Sequence, residues 1–323
     1  MLSYSVAIRT LGTSGDKLKK TLEGIHAQSV KPERICIYIA EGYSRPDFTV
    51  GQEEYFWVRK GMMYQRILPY KEIDSDCIFT LDDDIFIPED CAEIMLSEIE
   101  QAQFDCIGGD CFKNHEMSFW AKLYNIIVNF ACPIISKKWG VKIGRSGASY
   151  YNLSPCKKVY LAQSVSGGCA MWRKRSFLYL SLEDELWLEK QSYTYGEDFI
   201  VFNKAYKNGL KLGILFNPHI MNLDGASSSA NYRKNSDRFF VRAKCIFLLW
   251  WRSCYSLRQL TGYQRLYTAV CFGGRYMLNM IGVSGAALFY RDKNILINHI
   301  RGTIEGWKIT HSSDFKSLPD YIK

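Results

Sequence analysis

The sequence lacks the signatures that mark several large protein classes. Eleven cysteines occur in 323 residues, yet none are spaced as CxxC and no Cys/His cluster has zinc-ligand spacing. An odd cysteine count in a chain this long argues against a disulfide scaffold. Small buried hydrophobes in a reducing cytosol fit better. No GxGxxG follows a strand-like segment, which disfavours a Rossmann oxidoreductase. Internal repeats and low-complexity tracts are missing as well. The opening residues, MLSYSVAIRT, contain no basic region followed by an apolar one, so no secretory signal is expected and a cytoplasmic location is. The stretch from Leu266 to Tyr290 is long and weakly charged, but it holds Arg275 and several glycines and is not expected to cross a membrane.

What is present suits a globular chain with one sizeable core, or one core plus an appendage: 47% of residues are hydrophobic. The net charge of +8 suggests an anionic substrate or surface without diagnosing nucleic acid. Over the first hundred residues strand-like and helix-like segments alternate. YSVAIRT, RICIYIA, YFWVRK and CIFTL read as strands. SGDKLKKTLEGIHAQ, GMMYQRILPYKE and PEDCAEIMLSEIEQA read as helices. Such alternation predicts an α/β fold with a mostly parallel sheet flanked by helices. Ligands in such sheets bind at the carboxyl ends of strands, where Glu41 and Asp82 to Asp84 fall.

Three like charges at the end of an apolar strand are costly unless a cation or a set of donors meets them. Mg²⁺ and Mn²⁺ prefer carboxylate oxygens and often bind through one or two of them plus substrate phosphates. Strand alternation would aim Asp82 and Asp84 to one side; an acidic turn leading to Pro88 reads equally well. Glu197 and Asp198 open a second helix, where they suit either capping or a general base. In SVSGGCAMWRKRS, Gly167 and Gly168 permit close backbone approach, while Trp172 and Arg173 offer stacking and anion contacts. A glycine turn before a basic surface strand is the plainer reading.

Taken in order, VAIRTLG, IAEG, FTLDDDIFIPED, SGGCAMWRKRSF, YGEDFIVFNKAYKNGLKLG and NPHI resemble the family 2 glycosyltransferases over roughly residues 3–225. The resemblance implies a GT-A nucleotide-sugar-binding fold and an inverting transfer from a nucleoside-diphosphate sugar to a hydroxyl of a glycan or polyprenyl-diphosphate-linked acceptor. Surface polysaccharide synthesis is the implied setting, with a UDP-sugar as the favoured donor and Mn²⁺ or Mg²⁺ as cofactor. It implies Asp198 as base with Glu197 beside it, and Asp82 and Asp84 as metal ligands. Thr10, Leu11, Glu41, Asp82 and Asp83 would hold the nucleotide sugar. The loop Gly167, Gly168, Trp172 and Arg173 would meet donor or acceptor, and His219 would sit near the metal. The family usually has aspartate where Glu41 stands.

The implied organisation is a catalytic domain over residues 1–235, with an acceptor-side insertion at about 111–163, and a helical extension over 236–323. From Ser236 to His311 eleven Lys/Arg face three Asp/Glu, interleaved with aromatics. That composition suits either an anionic membrane surface at the cytoplasmic face or helices packed on the catalytic domain; nucleic acid is not expected. Two other functions fit parts of the pattern: a sugar nucleotidyltransferase, given the glycines and lysines of RTLGTSGDKLKK, and a non-catalytic glycan-binding protein with a degenerate pocket.

Overall fold

The computed structural model describes residues 2–112, 118–128, 137–152, 155, 158–191, 196–224 and 236–322. A ten-stranded sheet runs in the order β3-β2-β1-β4-β10-β6-β11-β9-β7-β8. Its first half comprises β1 (Tyr4–Thr10), β2 (Ile35–Ala40), β3 (Glu53–Val58) and β4 (Cys77–Asp82), all parallel. β6 (Cys106–Gly109) and β11 (Leu212–Leu215) are also parallel to each other. Between β4 and β6 lies β10 (Cys169–Arg173), antiparallel to both. β7 (Trp139–Ile143), β8 (Ser149–Tyr151) and β9 (Val159–Ala162) complete the far edge. The described part of the 111–163 segment therefore includes strands of the central sheet. A side sheet pairs β5 (Ile85–Phe86) with β12 (Met221–Asn222).

β2 is buried along its whole length, as befits an apolar strand covered on both faces. One face packs against α1 (Asp16–His26) and α3 (Cys91–Gln101) through Leu18, Leu22, Ile25, Met95 and Ile99. Those residues recur at helical spacing, which is why the segments fold as helices on a core. The other face meets α5 (Lys174–Tyr179) and α6 (Glu197–Lys207), where the Phe202 ring stacks on Trp172 with centroids 5.1 Å apart. The helix expected over GMMYQRILPYKE ends early, as α2 (Met62–Arg66). Pro69 disfavours helical geometry at Leu68, and Tyr70 takes a left-handed φ of 46°. The exposed α4 (Phe119–Val128) also precedes the far strands.

The C-terminal helices are α7 (Asp237–Trp250), α8 (Gly262–Phe289), α9 (Asn294–Thr310) and α10 (Ser313–Lys316). Gly302 lets α9 approach α7 closely, since a Cβ there would overlap the Phe240 carbonyl. Leu248, Leu249, Leu257, Phe315 and Tyr321 enter the same core cluster as Trp172 and Phe202. The tail thus shares its core with the sheet.

A buried ion cluster ties α6 to that tail. Lys204 of α6 contacts Glu185 at 3.0 Å, and Arg252 donates to both Glu185 oxygens, at 2.8 and 3.1 Å. Trp187 Nε1 adds a 2.7 Å bond. Burial pushes the Glu185 carboxyl up, but Arg252 and Lys204 outweigh it and hold it below its usual range. Taking away the acid would strip the buried Arg252 of its carboxylate and leave Lys204 only Asp184, at 3.3 Å, whereas exchanging a whole buried pair for apolar groups can be neutral. Glu185→Ala should therefore cost about 3–5 kcal/mol in urea unfolding, with the fall centred on the α6–tail junction in hydrogen exchange.

Candidate active site

The carboxyl ends of β1 and β4 lie side by side, and their register sets the chemistry. Arg9 is opposite Asp82, so both side chains emerge on one face of the sheet. Arg9 Nη2 donates to Asp82 Oδ1 at 2.9 Å and to the Gly167 carbonyl at 2.7 Å. Arg66, from the last turn of α2, reaches the same point. Its guanidinium lies 3.5 Å from Asp82, 3.2 Å from Glu197 and 3.4 Å from Asp198. Two acids at the start of α6 and one at the end of β4 are thereby gathered on a single cation.

The glycine loop closes this constellation. Gly167 N–H donates to Asp198 Oδ2 at 2.9 Å, and a Cβ on Gly167 would overlap the Asp198 carboxylate and crowd Arg66 Nη1. Gly168 packs on Asp82, whose backbone N–H donates to the Gly168 carbonyl at 2.9 Å. Small residues are needed here because backbone passes directly over carboxylates.

The three consecutive aspartates take three different partners. Asp82 faces Arg9 and Arg66; burial raises its carboxyl, but the two guanidinium groups prevail and hold it below the usual range. Asp83 turns to the β1–α1 loop, accepting from Thr10 Oγ1 and from Ser14 Oγ at 2.6 Å. Burial nevertheless pushes Asp83 up, against those two bonds. Asp84 is crowded by like charge. Burial, then Asp82, Asp83 and Asp224, push it up from 3.8 to about 6. Asp224 is brought there by the side sheet, since Leu223 N–H donates to the Asp84 carbonyl at 2.7 Å, and Lys17 pairs with Asp224. Glu197 is pushed up from 4.5 to about 7 by burial first and by Asp198 second, against the pull of Arg66.

A cavity of about 240 Å³ opens beside these groups, lined among others by Thr10, Leu11, Gln65, Arg66, Asp82 and Asp83. Glu41 is exposed in the turn after β2, outside that lining. Two expected contacts, those of Trp172 and Arg173, need correcting. Trp172 is fully buried on Phe202, because the antiparallel β10 turns it into the core. Arg173 stands opposite Cys77, at the other end of β4, and donates to the carbonyls of Phe104 and Ile99. His219 is exposed in the loop after β11, with its N–H on Asn217 Oδ1. Among the described residues no three His, Cys, Asp or Glu side chains converge as a ready metal cluster. Sequence reasoning missed Arg9, Arg66, Ser14 and Asp224. A charged residue inside the apolar strand YSVAIRT was the one available signal, and it marks Arg9.

No protein-family model matches the chain, and no curated protein matches it in sequence. Among solved structures it is similar to the mannosyltransferase PcManGT from Pyrobaculum calidifontis, in complex with GDP-Man and Mn²⁺. That match has a TM-score of 0.50 and 11% identity, over 95% of this chain and 87% of that one. It is also similar to GalNAc-T7 with UDP, GalNAc and Mn²⁺, with a TM-score of 0.45 and 14% identity over 68% of this chain; it spans 42% of that chain's length. The likeness to PcManGT establishes the fold: a mixed α/β GT-A architecture with a large central sheet, flanking helices and a C-terminal helical region.

The raised Asp84 makes a test of the charge crowding. Its folded value lies above its unfolded one, so the stability it allows is fully present below about pH 3.8 and is lost as pH rises through about 6. Without metal, Asp84→Asn should be more stable than the parent at pH 8 by roughly 1 kcal/mol after solvent screening, and by about half as much at pH 5, where the unfolded Asp84 is ionised and the folded one is not. Paired urea titrations at the two pH values measure this.

Proposed function

We propose that the chain is a metal-dependent, inverting glycosyltransferase of the family 2 type. It moves a sugar from a nucleoside-diphosphate donor, with a UDP-sugar favoured, to a hydroxyl of a glycan or lipid-linked acceptor at the cytoplasmic face of a membrane. One observation carries the reading: Asp82 at the end of β4 and Asp198 at the start of α6 meet on Arg66. An adjoining cavity, and glycine backbone laid over the carboxylates, set this cluster apart from the structural one at Glu185.

Asp198 suits the base by its geometry. One oxygen is anchored by the Gly167 N–H, which fixes the carboxylate plane. The other, Oδ1, is buried, has no hydrogen-bond partner among the described residues and has Arg66 Nη1 at 3.4 Å. An acceptor hydroxyl at that oxygen would supply the missing hydrogen bond and lose its proton there as the sugar bond forms. Glu197, with its carboxyl near 7, can stay protonated beside it and spare the crevice a further negative charge. Arg9 and Arg66 hold the acids in place and offer donors to anionic oxygens of a donor.

The donor set also fits a hard divalent cation. Asp84 is a carboxylate with three acidic neighbours and a raised affinity for protons, which a metal would relieve. Asp84 and Asp82 would hold Mn²⁺ or Mg²⁺. When bound, such an ion neutralises charge on the departing diphosphate. Thr10 and Leu11 would border the nucleotide, and Asp83 would act through the loop it anchors. A cavity of about 240 Å³ is small for a nucleotide sugar, so Arg66 or its loop would shift to admit one.

Asp198→Asn should lower kcat by about 10²–10⁴ while leaving Mn²⁺-dependent thermal stabilisation by the preferred nucleotide sugar intact. A panel of nucleotide sugars with and without Mn²⁺ identifies that donor. Undiminished turnover in the variant would refute the base assignment. Equal stabilisation with and without metal would refute the cofactor.

A further inference from the structure

The outward face of α8 is the wrong chemistry for water. Leu266, Val270, Met277, Ile281 and Leu288 are all exposed, up to 80% for Leu288. At 100° per residue they fall on one side of the helix, where a surface helix normally carries polar groups. The 28-residue helix contains two charged residues, Arg265 and Arg275, and Arg275 is turned toward the protein, donating to the Ser146 carbonyl at 3.0 Å. A second helix, α4, also exposes Phe119, Trp120, Tyr124 and Ile127. The two helices adjoin, with Asn279 of α8 donating to the Val128 carbonyl at 3.0 Å. An exposed apolar stripe running the length of a helix marks an interaction site.

We propose that the α8 stripe docks in the plane of an anionic lipid bilayer, sunk at the headgroup boundary. This names the surface behind the membrane location in the reading above, but it does not depend on the sugar chemistry. Charge selects the occupant. Arg265 precedes the stripe and Arg291 and Lys293 follow it, all three exposed, which leaves an excess of positive charge at its ends. Anionic headgroups complement that excess, whereas a second copy would bring the same positive charge against it. Tyr263, exposed on the same side at the start of α8, suits the interface between headgroups and acyl chains. Among the described residues no helix is long and apolar enough to cross a membrane, so the contact lies along the surface.

The test is flotation of the full chain with phosphatidylcholine vesicles, with and without phosphatidylglycerol, at low and high salt. Binding should require the anionic lipid and weaken with salt. Met277→Gln combined with Ile281→Gln and Leu288→Gln should reduce it at least about tenfold, at an unchanged thermal midpoint. Arg291→Glu with Lys293→Glu, which leaves the apolar stripe intact, should reduce binding to anionic vesicles as well. Transfer to a soluble acceptor should persist in both variants, which separates this proposal from the catalytic one. The proposal is overturned if the parent chain floats with neither vesicle or if both variants bind as well as the parent. It is also overturned if sedimentation shows a dimer that the glutamine variant dissociates.

Discussion

The site depends on one buried cation. Arg66 stands among Asp82, Glu197 and Asp198, and each pair at about 4 Å is worth on the order of 4 kcal/mol at an effective dielectric of about 20. Desolvating a guanidinium costs several kcal/mol, so one partner would not suffice and three do. Arg9 adds a second cation on Asp82, and Glu197 near its midpoint at neutral pH removes part of one negative charge. That half of the crevice is close to neutral. The other half, Asp83, Asp84 and Asp224, keeps an excess of negative charge with Lys17 nearby. The crevice is therefore polarised, and its electronegative half is where a divalent ion fits.

The scaffold places these groups by ordinary packing. Parallel register puts Arg9 beside Asp82, and the antiparallel β10 lays Gly167 and Gly168 over the carboxylates. α6 is fixed from behind, by Phe202 on Trp172 and by Lys204 in the Glu185–Arg252 cluster. Tyr321 completes the link, donating to the Ile200 carbonyl at 2.9 Å. Thus the C-terminal tail helps hold the helix that carries Asp198, although it lies far from it in sequence.

Much of this was legible from the chain alone. Strand–helix alternation foretold the α/β fold, and the acidic strand end and helix start pointed to residues that do converge. The cations were harder. Arg9 and Asp82 are 73 residues apart and Arg66 and Glu197 are 131 apart, and no local pattern encodes such pairings. Trp172 and Arg173 misled because a strand residue's side is set by its neighbours in the sheet, and nothing local announced that β10 runs antiparallel between β4 and β6. The strands at the far edge hid for a related reason: β7 to β9 are three to five residues long, with mixed polarity.

The central claim is that carboxylates after Leu81 and at the start of α6 form one crevice that accepts a divalent ion with a nucleoside diphosphate. Anomalous diffraction at the manganese edge, from crystals grown with Mn²⁺ and a nucleoside diphosphate, addresses it directly. The account predicts a peak within about 2.0–2.3 Å of an Asp84 or Asp82 oxygen, with the diphosphate on its other side. A diphosphate bound elsewhere, or a metal peak remote from both aspartates, would contradict it.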